Sequence, residues 1–423
     1  MNKILLKNVK LNREIVNISI ENDTIKSIVS NHSEIVNLDE YEVFDAKGNT
    51  ILPGLVDVHV HFRDPGLTYK ETIETGSKAA AHGGFTTVFA MPNVKPVVDN
   101  PQALKNMLLK NKTDSCIETY QYASISSNLD QPDNTDINTM AQLGAIAFTN
   151  DGHGVQNTGV MYKAMLAAKQ NNKAIVAHVE DDSLINHGVI NSGKAAQKLG
   201  LPGMNGLSES SQLARDLVLA YKTGVHYHVA HISTAESVQL VRMAKELGVK
   251  VTAEVSPHHL LLDDSMISMD NPMMKMNPPL RSPKDRQALI AGLLDGTIDM
   301  VATDHAPHSK EEKSGSMLTA SFGIVGLETA FSLMYTKFVK NGLVDLKTLL
   351  KWMSFNPLRT FNLKPNEIKV GAKANLTIMD LNAKYQIDSQ EFLSKGKNSP
   401  FICEKVFGRT LLTLSNGKVA YRI

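Results

Sequence analysis

Polar and apolar positions change their spacing along the chain, and the changes mark out its parts. Over the first ~50 residues short alternating runs, ILLKNVKL (4–11), EIVNISIEN (14–22) and TIKSIVS (24–30), predict β-strands with turn residues such as Asn22-Asp23 between them. From residue 55 the texture changes. Short apolar, β-rich segments fall at 55–63, 84–92, 117–125, 144–150, 174–179, 225–232, 249–256 and 298–303. Between them lie stretches with helical spacing, at 68–83, 100–112, 158–172, 208–224, 235–248 and 283–296, and another at 326–342 follows the last segment. Several close on Gly, a common residue just past a helix C-terminus. The helical signal around TDINTMAQL is the weakest of the set. VGAKANLTIMDLN (370–382) and LLTLSNGKVAYRI (411–423) then return to strand texture, with Asn-Gly turn chemistry in the latter.

Eight β segments alternating with helices predict an α/β fold of parallel strands and crossover helices. Eight is the number that closes a (β/α)8 TIM barrel. A doubly wound open sheet is the alternative, but no Gly-rich dinucleotide fingerprint stands near the first strand. The two β-rich ends are expected to meet in one small β-sandwich domain. That divides the chain into 1–53 (first part of the sandwich), 54–365 (the barrel) and 366–423 (second part). A length of 423 residues suits a large barrel with such an accessory domain.

Charge narrows the partners. Lys and Arg number 44 against 43 Asp and Glu, so no net field draws the chain to nucleic acid or an anionic membrane. The N-terminal apolar run is broken at Lys7 and is too short for a signal peptide. No apolar run approaches the ~20 residues of a membrane span. Cys116 and Cys403 lie far apart without CxxC spacing, which predicts neither a disulfide framework nor a zinc knuckle. A reducing, cytoplasmic setting is expected.

The candidate chemistry begins at LVDVHVHFR (55–63). As a strand it puts Asp57, His59, His61 and Arg63 on one face and Val56, Val58, Val60 and Phe62 on the other. Catalytic groups of a barrel collect at the C-terminal ends of its strands. His59 and His61 end the first segment, Asp151 follows the fourth, and His178 and His231 lie near the ends of the fifth and sixth. Asp304 ends the eighth. A lone strand histidine is usually structural, and HxH alone is a weak motif. Six metal-ligand types at equivalent strand ends are much harder to obtain by chance. Imidazole and carboxylate suit Zn²⁺ or a similar divalent ion, and the surplus over one tetrahedral site fits two ions. His59 and His61 would then hold one, His178 and His231 the other, and Asp151 would bridge them. Arg63, two residues beyond His61, can grip a carboxylate through two bonds, and the competing reading is an ion pair with Asp57 or Asp64. Asn93 reads as a hydrogen-bond donor or as a plain turn residue. The other histidines, His228, His258, His259 and His305 among them, read as surface, core or supporting groups.

LPGLVDVHVHFRDPG (52–66) resembles the first-strand signature of the amidohydrolase superfamily, and GAKANLTIMD is similar to the point where such chains re-enter their β domain. HVHFRDPG, AMPN, FTNDG, AHVED, AHIST, EVSPHH, KMNPPLR, ATDHAPH and ASFGIVGLE follow in the order seen in type I bacterial dihydroorotases. The resemblance spans essentially the whole chain. It implies metal ligands at His59, His61, Asp151, His178, His231 and Asp304. It implies substrate contacts at His61, Arg63, Asn93, Asn277, His308 and the Phe322-Gly323 backbone. Many members of the superfamily bridge their metals with a carboxylated lysine from strand four; here the strand ends FTND, and Asp151 takes that role.

The implied reaction is the reversible cyclisation of N-carbamoyl-L-aspartate to L-dihydroorotate in pyrimidine biosynthesis, with a metal-activated water as nucleophile and Asp304 as general base and acid. The implied cofactor is zinc, two ions per chain, the second held less tightly. The implied partners are the small-molecule substrate, a second copy in a homodimer, and aspartate transcarbamoylase. Two rival readings are another cyclic amidase (hydantoinase, dihydropyrimidinase or allantoinase) and a non-catalytic dihydroorotase-like scaffold. The polar stretch 309–321 reads equally as a lid and as an ordinary surface loop.

Overall fold

The computed structural model describes residues 3–33 and 38–423. One mixed sheet draws strands from both ends of the chain, in the order Lys418–Arg422, Lys405–Ser415, Leu376–Gln386, Thr50–Pro53, Lys3–Leu11, Glu14–Glu21, Thr24–Ser30, with Glu42–Asp45 also paired to Lys3–Leu11. The join between the ends is the antiparallel register Leu376↔Pro53 to Met379↔Thr50. Alternation decides which residues face inward: Ile4, Leu6, Ile18, Ile20, Ile51, Leu376, Ile378, Leu412 and Leu414 pack into one cluster. At Asn416-Gly417 both residues have positive φ, 48° and 71°, as a two-residue turn matched to strand twist requires.

Between these ends the strands are parallel. Leu55–Val60 pairs with Phe85–Ala90, which pairs with Glu118–Gln121. Ala174–Ala177, His226–Val229, Val251–Val255 and Met300–Val301 form a second parallel group. Single bridges join the two groups on both sides: Ala123↔Phe148 and Phe148↔Ile175 on one, Val60↔His305 on the other. The segment expected as a strand over 144–150 makes only these isolated bridges. Its backbone still bonds both neighbours, through Thr149 N–H to Ala123 O and Phe148 N–H to Ala174 O.

The first strand also stops sooner than expected, at Val60 rather than Arg63. Arg63 has φ +60°, which no strand residue can adopt, so the chain turns there. The strand's residues are all buried, because Leu55 and Val60 pack into one hydrophobic cluster and Val56 and Val58 into another, covering both faces. Parallel strands buried on both faces read as near-continuous apolar runs. A charged residue inside such a run therefore marks a site.

Helices follow the strands with their N-termini capped: Thr72 before Ile73–His82, Asn100 before Pro101–Asp114, Asn157 before Thr158–Gln170 and Ser282 before Pro283–Asp295. The weak helical signal near residue 137 is a short helix, Ile137–Leu143. The single helix expected over 326–342 is instead an α-helix, Ala330–Met334, running into a π-helix, Tyr335–Lys340.

Candidate metal and catalytic centre

Four strands of the parallel set, and the bridged segment at Phe148, lead at their C-terminal ends into an imidazole or carboxylate of the candidate site. His59 and His61 come from the first strand and the turn after it. Asp151 follows the bridge at Phe148, His178 follows Ala174–Ala177, His231 follows His226–Val229, and Asp304 follows Met300–Val301. All six are buried. His59 Nε2 lies 3.2 Å from Asp151 Oδ1 and 3.4 Å from Asp304 Oδ1. His61 Nε2 lies 3.4 Å from Asp151 Oδ2 and 3.1 Å from Asp304 Oδ1. On the other side of Asp151, its Oδ1 is 3.7 Å from His178 Nδ1 and 3.5 Å from His231 Nε2. Two triads thus share one carboxylate: His59, His61 and Asp151, and Asp151, His178 and His231, each with ligand atoms within 4.8 Å of one another.

Hydrogen bonding shows what the cluster lacks. His59 Nε2 and Asp151 Oδ1 are buried and have no hydrogen-bond partner. An orphaned buried polar atom costs about 1–3 kcal/mol, and these two face each other across the shared space. A cation between them satisfies both, and imidazole with carboxylate is the donor set of zinc-like divalent ions. The electrostatics agree. Burial opposes charge on His59, but the Asp151 and Glu254 carboxylates outweigh it and hold its pKa well above the ordinary value. Burial is likewise overcome at His178, where hydrogen bonds to Asp151 and Glu180 raise the pKa to about 10. The centre favours positive charge, and protons and metal ions compete for the same lone pairs.

Further residues hold the ligands in place. Glu254, wholly buried on strand Val251–Val255, bonds His59 Nδ1 at 2.5 Å, accepts from His228 Nε2 at 3.0 Å and takes the His231 N–H at 3.3 Å. It thereby aims His59 Nε2 at Asp151. Sequence reasoning missed this residue, although one carboxylate in the run VKVTAEVS was a usable signal. Glu180 was missed too; two residues past His178, it accepts from Asn277 Nδ2 at 2.9 Å. Glu254→Gln is expected to lower metal affinity about 10- to 100-fold, read by competition with a chromogenic chelator. Unchanged affinity would leave Glu254 a merely structural group.

Three residues of the centre or its rim, Arg63, His231 and Asp304, have positive φ of 60°, 30° and 51°. Such backbone costs of order 1–3 kcal/mol for a non-glycine residue and collects where side-chain aim matters.

The residues expected at the substrate fall into two groups. Asn93 stands beside the metal triad: its Oδ1 is 3.0 Å from His61 Nδ1, and its amide donates to the Asp151 carbonyl at 3.3 Å. Asn277 sits beside His178, with its Oδ1 buried and unpartnered. Arg63 makes neither of the ion pairs that compete for it. Asp57 is bonded to Thr303, and Asp64 pairs with Lys110 at 3.2 Å. Arg63 Nε donates only a long bond, 3.4 Å, to Pro307 O.

The second group lies at the rim. His308 Nε2 donates to Phe322 O at 2.7 Å. Burial, then Arg63, Lys70 and Lys313, push its pKa down to about 3, so the ring is neutral. Both backbone groups of Gly323 are taken by the protein, the N–H by Lys275 O and the carbonyl by Asn398 Nδ2, each at 3.1 Å. The stretch 309–321 is anchored at several points. Lys313 Nζ donates to Lys275 O and Ser321 O, Met317 N–H to Asp270, and Glu312 pairs with Lys70 at 2.8 Å.

Parallel strands with crossover helices, and buried imidazoles sharing a carboxylate at their C-terminal ends, define a metal-binding α/β protein of the amidohydrolase type. Solved structures agree. An L-hydantoinase (dihydropyrimidinase) from Arthrobacter aurescens matches with a TM-score of 0.86 at 26% identity, covering 100% of this chain and 96% of that one. A D-hydantoinase (dihydropyrimidinase) from Thermus sp. matches with a TM-score of 0.85 at 26% identity, covering 99% and 95%. Sequence similarity is more specific. The dihydro-orotase-like family profile matches residues 48–237. A dihydroorotase of Ligilactobacillus salivarius is 56% identical over 404 residues, covering 95% of this chain and 94% of the relative. One of Pediococcus pentosaceus is 52% identical over 425 residues, covering 99% of each. The chain belongs to the dihydroorotase family.

Proposed function

We propose that the chain interconverts N-carbamoyl-L-aspartate and L-dihydroorotate, the cyclic-amide step of de novo pyrimidine synthesis. The observation that carries this reading is the convergence of four histidines on Asp151, with Asp304 beside His59 and His61, around buried polar atoms left unsatisfied among the described residues, in a chain 56% identical to a dihydroorotase. A scaffold without catalysis has no use for six filled ligand positions. A hydantoinase is the weaker rival, since those neighbours share 26% identity.

We assign His59, His61, Asp151, His178, His231 and Asp304 as the residues that would hold two zinc ions. The parallel strands form a closed (β/α)8 barrel over 54–365, and segments 1–53 and 366–423 make a separate β-sandwich. Bound divalent ions supply Lewis-acid polarisation and bring the pKa of water down to ~7. Asp304 stands 3.1 Å from His61 Nε2 with its carboxylate ionised, as a base must be. It takes the proton of the attacking water and delivers it to the departing ring nitrogen; in synthesis the transfers reverse. Arg63, which has no ion pair among the described residues, receives the substrate's carboxylate, with Asn93, Asn277 and His308 completing the pocket. The Phe322-Gly323 backbone contributes only after exchanging its present bonds.

Turnover of dihydroorotate, dihydrouracil, hydantoin and allantoin, measured side by side, tests the assignment. Dihydroorotate should be preferred, and Arg63→Met should raise KM for it by about 10- to 100-fold, the value of one charge-assisted contact, with less change in kcat. Preference for a neutral ring would overturn the substrate, and an unmoved KM would make Arg63 structural. Among the described residues no helix is long and apolar enough to cross a membrane. We place the chain in the cytoplasm as a homodimer that associates with aspartate transcarbamoylase. The family likeness supports this, and sedimentation of the chain alone and with that enzyme would refute it if only monomer ran.

A further inference from the structure

At the opposite end of the parallel strands lies a second concavity. Its volume is about 740 Å³, within the range of roughly 300–1,000 Å³ typical of small-molecule sites. Its walls are the N-terminal ends of Ala174–Ala177, His226–Val229 and Val251–Val255, the same strands that carry His178, His231 and Glu254 at their other ends.

Three lysines, Lys169, Lys173 and Lys250, are among the residues that line it. No carboxylate lines it. Among the described residues none of the three lysines has an ion pair or a side-chain hydrogen bond. Lys169 and Lys250 are exposed, but Lys173 is half-buried, and burial alone, with no acid to offset it, lowers its pKa. Burial, then His228 and the Lys250 ammonium, push His226 down to about 4.

Helix capping does not account for this charge. The helices Thr158–Gln170, Leu207–Thr223 and Asn356–Thr360 end at the cavity. Each contributes roughly half a negative charge, together only about half of what three ammoniums carry. One or more of each helix's last carbonyls are already bonded by the chain itself. Asn172 N–H meets Lys169 O, Lys173 N–H meets Ala168 O, Gly224 N–H meets Ala220 O, and Asn362 N–H meets Arg359 O.

We propose that this cavity binds a small phosphate-bearing molecule, held by Lys169, Lys173 and Lys250. The amides of Asn172 and Asn362 and the hydroxyl of Thr360 line it as further hydrogen-bonding groups. The phosphate is the recognised part. Of the two aromatic rings in the described lining, Phe361 is buried edge-on against Phe89, with ring centroids 4.9 Å apart, and the half-buried His226 imidazole is held by Thr252 Oγ1 at 2.8 Å.

The test is calorimetric titration of the metal-loaded full chain with inorganic phosphate, adenosine 5′-monophosphate and adenosine at fixed ionic strength. Phosphate and the monophosphate should bind with similar affinity, and adenosine should not bind. The triple variant Lys169→Met, Lys173→Met, Lys250→Met should bind phosphate at least about tenfold more weakly, since each lost contact is charge-assisted, while turnover stays at the parent value. Lys173→Met alone, which removes the one half-buried ammonium, should lose part of the affinity and guards against a misfolded triple variant. Equal phosphate affinity in parent and variants would overturn the proposal. So would no binding to the parent, loss of binding on Arg63→Met instead, or adenosine binding as well as its monophosphate.

Discussion

Asp304→Asn is expected to lower turnover by about 10²- to 10⁴-fold, the usual contribution of a positioned general acid-base group, with the metal content unchanged. The amide keeps the size of the carboxylate but can accept no proton. The structure explains why the native carboxylate is ready to act. Burial pushes its pKa up, and the imidazoles of His59 and His61 more than reverse that, holding it below the ordinary carboxylate range. Steady-state rates read beside metal analysis by mass spectrometry decide the matter. Near-parent turnover would remove Asp304 from proton transfer. Lost activity with lost metal would make it a ligand only.

Asp151→Ala should do more damage, and of another kind. Each of its oxygens lies within 3.7 Å of a histidine, and Oδ1 faces three of them, His59, His178 and His231. Both candidate triads lose their common member when it goes. The variant should purify with well under one bound ion per chain and with turnover near background. It should also be less stable, because the buried imidazoles of His59 and His178 lose a carboxylate that offsets their charge; removing one partner of a buried ion pair costs about 3–5 kcal/mol. A variant that still holds two ions would refute the bridge.

How much of this was legible beforehand differs by residue. The clustering of the candidate ligands was readable because short parallel strands bring each C-terminal end to the same face, so position along a strand stands in for position in space. The helices were readable from period and caps, as at Thr158–Gln170. The fourth β segment was not, because a strand is defined by contiguous pairing with neighbours, and residues 144–150 pair at isolated points. The end of the first strand was misplaced for a related reason. Alternation continues in the letters through Arg63, but the backbone has already turned at that residue.

Glu254 and Glu180 show the other limit. Both lay in motifs that were noticed, yet nothing in the letters says which imidazole a buried carboxylate will meet 195 positions away. The free state of Arg63 was equally hidden. Asp57 and Asp64 are close in sequence, and only the fold shows them claimed by Thr303 and Lys110.

The sequence by itself pointed to the alternation of strand and helix, to the meeting of the two β-rich ends, and to six candidate metal ligands with Asp151 between the two histidine pairs. Those follow from spacing and residue type, which are local. Only the tertiary structure decided that Glu254 aims His59, that Asp57 and Asp64 leave Arg63 for other partners, and that three lysines without an ion pair among the described residues line the far end of the strands. Those are relations between distant segments, set by packing and by which buried charges find partners, and no local pattern encodes them.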